Sequence, residues 1–108
     1  MISIDYYMPS ETPNAIVVTV CGIRFYFSYE TIVAYHAPST GFVTCHNVWS
    51  TTTGKHINRI CPERADRVDY DTFSKGLVEL ERRMATALKH MDNIELMKRL
   101  EEASNEKD

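Results

Sequence analysis

The chain has 108 residues, the length of one domain and enough to bury a core without disulfides or a metal. An apolar fraction of 44% with 25% charged residues fits a globular protein, and a net charge of −3 gives no general attraction to nucleic acid or anionic membranes. No apolar run approaches the roughly 18 residues of a membrane span, and the first five residues lack the basic and apolar regions of a signal peptide.

The expected compartment is therefore the cytoplasm. There Cys21, Cys45 and Cys61, an odd count without a CxxC pair, are expected to remain free thiols.

Residues 1–14 contain Pro9 and Pro13 among polar residues and read as an irregular lead-in, although Tyr6, Tyr7 and Met8 have the character to pack back on the domain. Residues 15–27 read as a β-hairpin turning at Cys21-Gly22. Pairing Val20 with Ile23 sets Val18 opposite Phe25 and Ile16 opposite Phe27, which makes one apolar face. Val17, Thr19, Arg24 and Tyr26 form the other face, either as an outer stacking surface or beneath the C-terminal helix.

The alternation changes phase near residues 28–31, so a bulge or a tight turn is required there. Residues 31–49 read as a second hairpin around Pro38-Ser39-Thr40-Gly41, with Ala37 opposite Phe42, Tyr35 opposite Thr44, and Ala34 opposite Cys45. Residues 50–60 read as a short helix capped by Ser50 or Thr51, with Gly54 as its weak point. Residues 61–68 read as a polar connector.

A long C-terminal helix follows over residues 69–103. Asp69 is its N-cap, Val68 and Phe73 fit a hydrophobic staple, and Phe73, Leu77, Leu80, Met84, Leu88 and Met91 form one stripe. Asp92 and Glu95 repeat a cap signature, so the helix either breaks near Asp92 or continues with a kink. Residues 104–108 read as a frayed tail. The fold class is α+β: an antiparallel meander of three or four strands, a short helix, and a long helix packed on or extending beyond the sheet.

The densest polar motif spans Asn47, Trp49, Ser50, Thr51, Thr52, Thr53, Lys55, His56 and Arg59, which are the candidate binding residues. Gly54-Lys55 is not a P-loop, because Trp49 stands where the first glycine belongs and His56 follows the lysine. Hydroxyls at a helix start hold anions; they equally cap the turn after a strand. No standard zinc spacing occurs among the cysteines and histidines, so neither a metal nor another cofactor is expected. Cys45 or Cys61 paired with His56 is a conceivable nucleophilic dyad, but no nucleophile motif surrounds either, and Cys45 reads as a small core residue.

Met84, Leu88, Met91, Ile94, Met97 and Leu100 are the candidate dimer or docking residues of the long helix. Leu80, Met84, Ala87 and Met91 belong to a short heptad seam, so a homodimer is expected.

The stretch Tyr29-Glu30-Thr31-Ile32-Val33-Ala34-Tyr35, followed by Asn47-Val48-Trp49-Ser50-Thr51-Thr52-Thr53-Gly54-Lys55-His56-Ile57-Asn58, resembles a family of small uncharacterised proteins of tailed bacteriophages and prophages. The resemblance covers roughly residues 17–80, including the Cys21-Gly22 turn and the capped helix near Asp69. The extension past about Met84 looks particular to this chain. The resemblance transfers no catalytic residue. It implies a phage-type accessory protein acting inside the bacterial cell. Small size, the lack of a catalytic constellation, the polar motif around Trp49 and the apolar stripe of the long helix make a non-enzymatic protein that binds a host protein, such as a defence or nucleic-acid-processing factor, the expected function. The alternatives are a nucleic-acid-binding module using Lys55, Arg59, Arg64 and Arg67, and a small-ligand or anion-binding protein using residues 50–56.

Overall fold

Alternating β-branched and aromatic residues build the centre of the fold. In the computed structural model, β2 (Ala15–Val20) and β3 (Ile23–Ser28) pair with Val20 opposite Ile23, Val18 opposite Phe25 and Ile16 opposite Phe27, the register read from the sequence. β4 (Thr31–Ala37) and β5 (Gly41–Thr44) continue the sheet on one side. β1 (Ile2–Tyr6) extends it on the other, and the antiparallel order is β1-β2-β3-β4-β5. α1 spans Thr51–Ile60, a 3₁₀ turn Arg64–Asp66, and α2 Tyr70–Glu106. The structure describes all residues except Met1, Ser10, Glu11, Lys107 and Asp108, and only the backbone of Ala87 and of residues 91–106. Two compact units, Met1–Leu77 and Val78–Asp108, divide the chain.

The sheet is thus five strands rather than three or four. The additional strand lies in the expected irregular lead-in: Ile2 faces Val20 and Tyr6 faces Ile16. Ile2, Ile4 and Tyr6 alternate with Ser3 and Asp5 as a strand requires, and Pro9 and Pro13 act only on the β1–β2 connection.

Both faces of the sheet are used, so the division into a core face and an outer face needs correction. Phe25 and Tyr35 pair across β3 and β4, and Phe73 of α2 packs on Tyr35 with ring centroids 5.4 Å apart. Tyr26 points the opposite way from Phe25. It is buried between Tyr7 and Phe42, at centroid distances of 5.6 and 5.2 Å, and not beneath the C-terminal helix. Ala15, Ser28 and Ala34 complete this second buried face.

Both devices that would explain the phase change are present. Tyr29 and Glu30 form a two-residue turn, and the β3–β4 register shifts between Tyr26 and Phe27, leaving Val33 as the extra, fully buried residue of a bulge. The β4–β5 register is one residue off the sequence reading. Ala37 pairs with Gly41 and Tyr35 with Val43. Gly41 takes φ = 70°, which closes a three-residue loop that a bulkier residue would strain. β5 ends at Thr44, where Cys45 bridges Val68 in parallel and His46 N–H donates to the Val68 carbonyl at 2.9 Å. The 61–68 connector is therefore stitched to the end of the sheet.

Asp69 caps α2. The Thr72 hydroxyl and N–H both donate to its carboxylate, and these bonds, with His46 nearby, hold its pKa below the usual carboxylate value. Phe73 N–H donates to Asp69 O at 3.0 Å, which begins the helical ladder. Gly76 lies where a Cβ would collide with the Tyr35 hydroxyl. α2 then runs unbroken to Glu106, so Asp92 starts no second helix; residues 85–91 contain no Gly or Pro to release the chain before it.

Gly76→Ala gains about 1 kcal/mol of helix propensity but forces Tyr35 off its packing at about 1–3 kcal/mol. A net loss in urea midpoint is expected, and an unchanged or higher midpoint would contradict this packing. Cys21, at φ = 51° in the β2–β3 turn, occupies a left-handed position that Asn tolerates better. Cys21→Asn is expected to raise unfolding free energy by up to about 1 kcal/mol.

Candidate functional site

Of the four consecutive hydroxyl residues only Thr53 turns inward, together with His56 three residues on; Ser50, Thr51 and Thr52 are exposed. Ser50 caps α1, its Oγ accepting from Thr53 N–H at 3.2 Å. Thr53 and His56 face the sheet, and Ser28 of β3 meets both: its Oγ donates to Thr53 Oγ1 at 2.9 Å and lies 2.8 Å from His56 Nδ1. Ser28, Thr53 and His56 are 1%, 5% and 4% exposed, so this network is internal. The rings of Tyr7 and Tyr29 lie 6.2 and 6.0 Å from His56, and burial lowers the imidazole pKa. A serine beside a histidine has the geometry of a nucleophile and base, but here no substrate reaches the oxygen. Its role is to hold α1 on β3.

The remaining motif residues divide between loop and helix surface. Asn47 shapes the turn into α1: its Oδ1 accepts from Trp49 N–H at 2.9 Å and its Nδ2 donates to Ser50 O at 3.0 Å. A Cβ on Gly54 would lie 2.8 Å from that Nδ2, so glycine in mid-helix is needed for the amide to fit. Trp49 is half-buried with its ring 6.1 Å from Tyr70, which is exposed, as is Val48. Thr51, Thr52, Lys55 and Arg59 are exposed, and Arg59 Nε donates to Tyr7 O at 3.4 Å.

Neither cysteine pairs with His56. Cys45 is fully buried, and desolvation, with Asp69 adding, pushes its thiol up to about 11. It is a core residue in the protonated state. Cys61 Sγ donates to Glu63 O at 3.4 Å. Among the described residues no three His, Cys, Asp or Glu side chains converge as a metal site would require.

A cleft of about 300 Å³ opens beside the motif, lined by His46, Asn47, Gly54, Asn58, Arg64 and Arg67. Sequence reasoning saw Arg64 and Arg67 only as part of a basic segment and did not single out Asn58. Arg67 is 9% exposed and has no carboxylate partner among the described residues. Its Nε and Nη2 donate to Cys61 O at 3.1 and 2.7 Å, and Nη2 also donates to Asn58 Oδ1 at 2.6 Å. These acceptors lie at the C-terminal end of α1, where the helix dipole favours a cation. Withdrawing a charge from water costs several kcal/mol, offset here by charge-assisted bonds of roughly 1.5–3 kcal/mol each.

Of the candidate docking residues on α2, Met84 is half-buried and Leu88 exposed. The side chains of Met91, Ile94, Met97 and Leu100 lie outside the described residues. On this part of the helix Glu79 forms ion pairs with Arg82 at 2.7 Å and Arg83 at 3.2 Å.

Residues 8–76 match the model of a family of unknown function (DUF8033), and the chain belongs to that family. No curated protein and no solved structure matches it. The matched region takes in the connection after β1, strands β2 to β5, α1 with its cleft, and the first two turns of α2.

Because the folded state holds His56 with a lowered pKa, the unfolded chain binds a proton more readily. Stability is then fully present above the ordinary histidine pKa of 6.5 and falls as pH drops below it. The loss of melting temperature between pH 7 and 5 is expected to be shallower in His56→Gln than in the parent chain. Equal slopes would remove His56 as a source of acid sensitivity.

Proposed function

We propose that this chain is a non-enzymatic binding protein of the phage-accessory type, which docks on a host protein in the bacterial cytoplasm along the edge of its sheet. The observation that carries the reading is β1. Ile2, Ile4 and Tyr6 lie on one face of an edge strand and are 68%, 65% and 49% exposed. An apolar stripe on a strand with an unpaired edge is a template for strand addition by a partner, whose backbone supplies the ladder while side-chain contacts set specificity. The burial of Thr53 and His56 within the 47–59 motif supports placing the docking face here rather than across that whole motif.

Half-buried Trp49 with exposed Val48 and Tyr70 carries the alternative docking face. Trp and Tyr dominate interface energetics where they anchor in a partner's pocket. The nucleic-acid reading has weaker support. Arg67 is buried and Arg59 is engaged by Tyr7, so the basic segment does not form one continuous stripe.

The test is capture from nuclease-treated bacterial lysate by the tagged chain, by Ile4→Lys and by Trp49→Ala. One stoichiometric protein is expected with the parent chain and lost with Ile4→Lys, whose melting temperature is unchanged because Ile4 is exposed. Loss with Trp49→Ala alone would move the docking face to the loop before α1. No nuclease-resistant protein, or retention by both variants, would overturn the reading.

A further inference from the structure

We propose that the cleft beside α1 is a binding site for a phosphoryl dianion, presented either as free phosphate or as the end group of a small phosphate monoester. The cleft is lined by hydrogen-bond donors and cations and by no carboxylate: His46, Asn47, Gly54, Asn58, Arg64 and Arg67. Two guanidinium groups carry a formal charge of two, which matches a phosphate dianion better than a single carboxylate.

The donors are pre-set. Arg67 spends Nε and Nη2 on Cys61 O and Asn58 Oδ1, and Nη1 makes no hydrogen bond to a described residue. Nη1 is also absent from the buried polar atoms that lack a partner, so solvent reaches it. The same bond fixes the Asn58 amide with its oxygen toward Arg67, which leaves Nδ2 with no acceptor among the described residues. Asn47 uses its oxygen on Trp49 N–H and one hydrogen of Nδ2 on Ser50 O, with a second hydrogen remaining. Arg67 is held by three hydrogen bonds to two acceptors and is more than nine-tenths buried, so it loses little side-chain freedom on binding. Exposed Arg64 lines the same cleft and supplies the second guanidinium. Asp69, which interacts electrostatically with His46, is committed to the N-terminus of α2 through Thr72.

This site is independent of docking through β1, and Ile4→Lys serves as the control for that separation. The experiment titrates the full chain with inorganic phosphate, glycerol phosphate and acetate at matched ionic strength. It follows melting temperature and the NMR signals of the Asn58 side-chain amide and Arg67 Nε–H. A saturable response is expected, reaching a rise of about 5 °C at ten times the half-saturating phosphate concentration. Acetate gives none, Arg64→Ala weakens the affinity at least tenfold without unfolding the domain, and Ile4→Lys responds like the parent chain. Tighter binding of glycerol phosphate would assign the group to a monoester; equal or weaker binding would assign it to free phosphate.

Phosphate also stabilises proteins by exclusion from their surfaces. A rise of the same size in Arg64→Ala would therefore overturn the proposal, as would the absence of saturable shifts at Asn58 and Arg67 at tens of millimolar phosphate.

Discussion

Ser28 Oγ, 2.8 Å from His56 Nδ1 and 2.9 Å from Thr53 Oγ1, ties the third strand to α1 through groups that water does not reach. Each of these polar atoms would cost about 1–3 kcal/mol if buried without its partner. The bonds therefore define where α1 must sit. Once α1 is placed, Ser50 at its start and Cys61 at its end are placed too, and the cleft between the 45–50 loop and the 61–68 connector follows.

The connector is held as firmly from its other end. Val68 bridges Cys45 at the end of the sheet, and Arg67 reaches back from beside it to the last turn of α1. Asp69 then starts α2 one residue later. A segment with almost no regular structure thus joins sheet, α1 and α2 within the nine residues 61–69, because its backbone hydrogen bonds go to strand ends and helix ends. This density of fixed donors makes the region polar and cation-lined, while the exposed stripe of β1 provides a surface of opposite character, apolar and bordered by a free strand edge.

The residues that looked most functional in sequence divide by their contacts into sets with different work. Ser50, Thr53 and His56 stabilise; Asn47 shapes the turn; Thr51, Thr52, Lys55 and Arg59 are solvent-facing; and Trp49 lies between, half-covered beside Tyr70. Conversely, Asn58, unmarked in the sequence, becomes a designated donor because the Arg67 guanidinium orients its amide. Hydroxyl and amide side chains carry no sign in a sequence of whether they face protein or water, so a polar run cannot by itself be divided into cap, core and surface.

The local features were legible in the chain by itself: the β2–β3 register from its period-two alternation, α1 from its cap at Ser50, and the start of α2 from Asp69 and Phe73. Each is decided by neighbours within a few residues, through strand alternation, capping hydrogen bonds and turn geometry. Tertiary structure decided β1, which needed β2 as its partner. It decided the β4–β5 register, which a single left-handed glycine moved by one residue. It also decided the pairing of Ser28 with His56 and the burial of Arg67. Those outcomes depend on contacts between residues far apart in sequence, where burial turns an ordinary serine, histidine or arginine into a fixed hydrogen-bonding group.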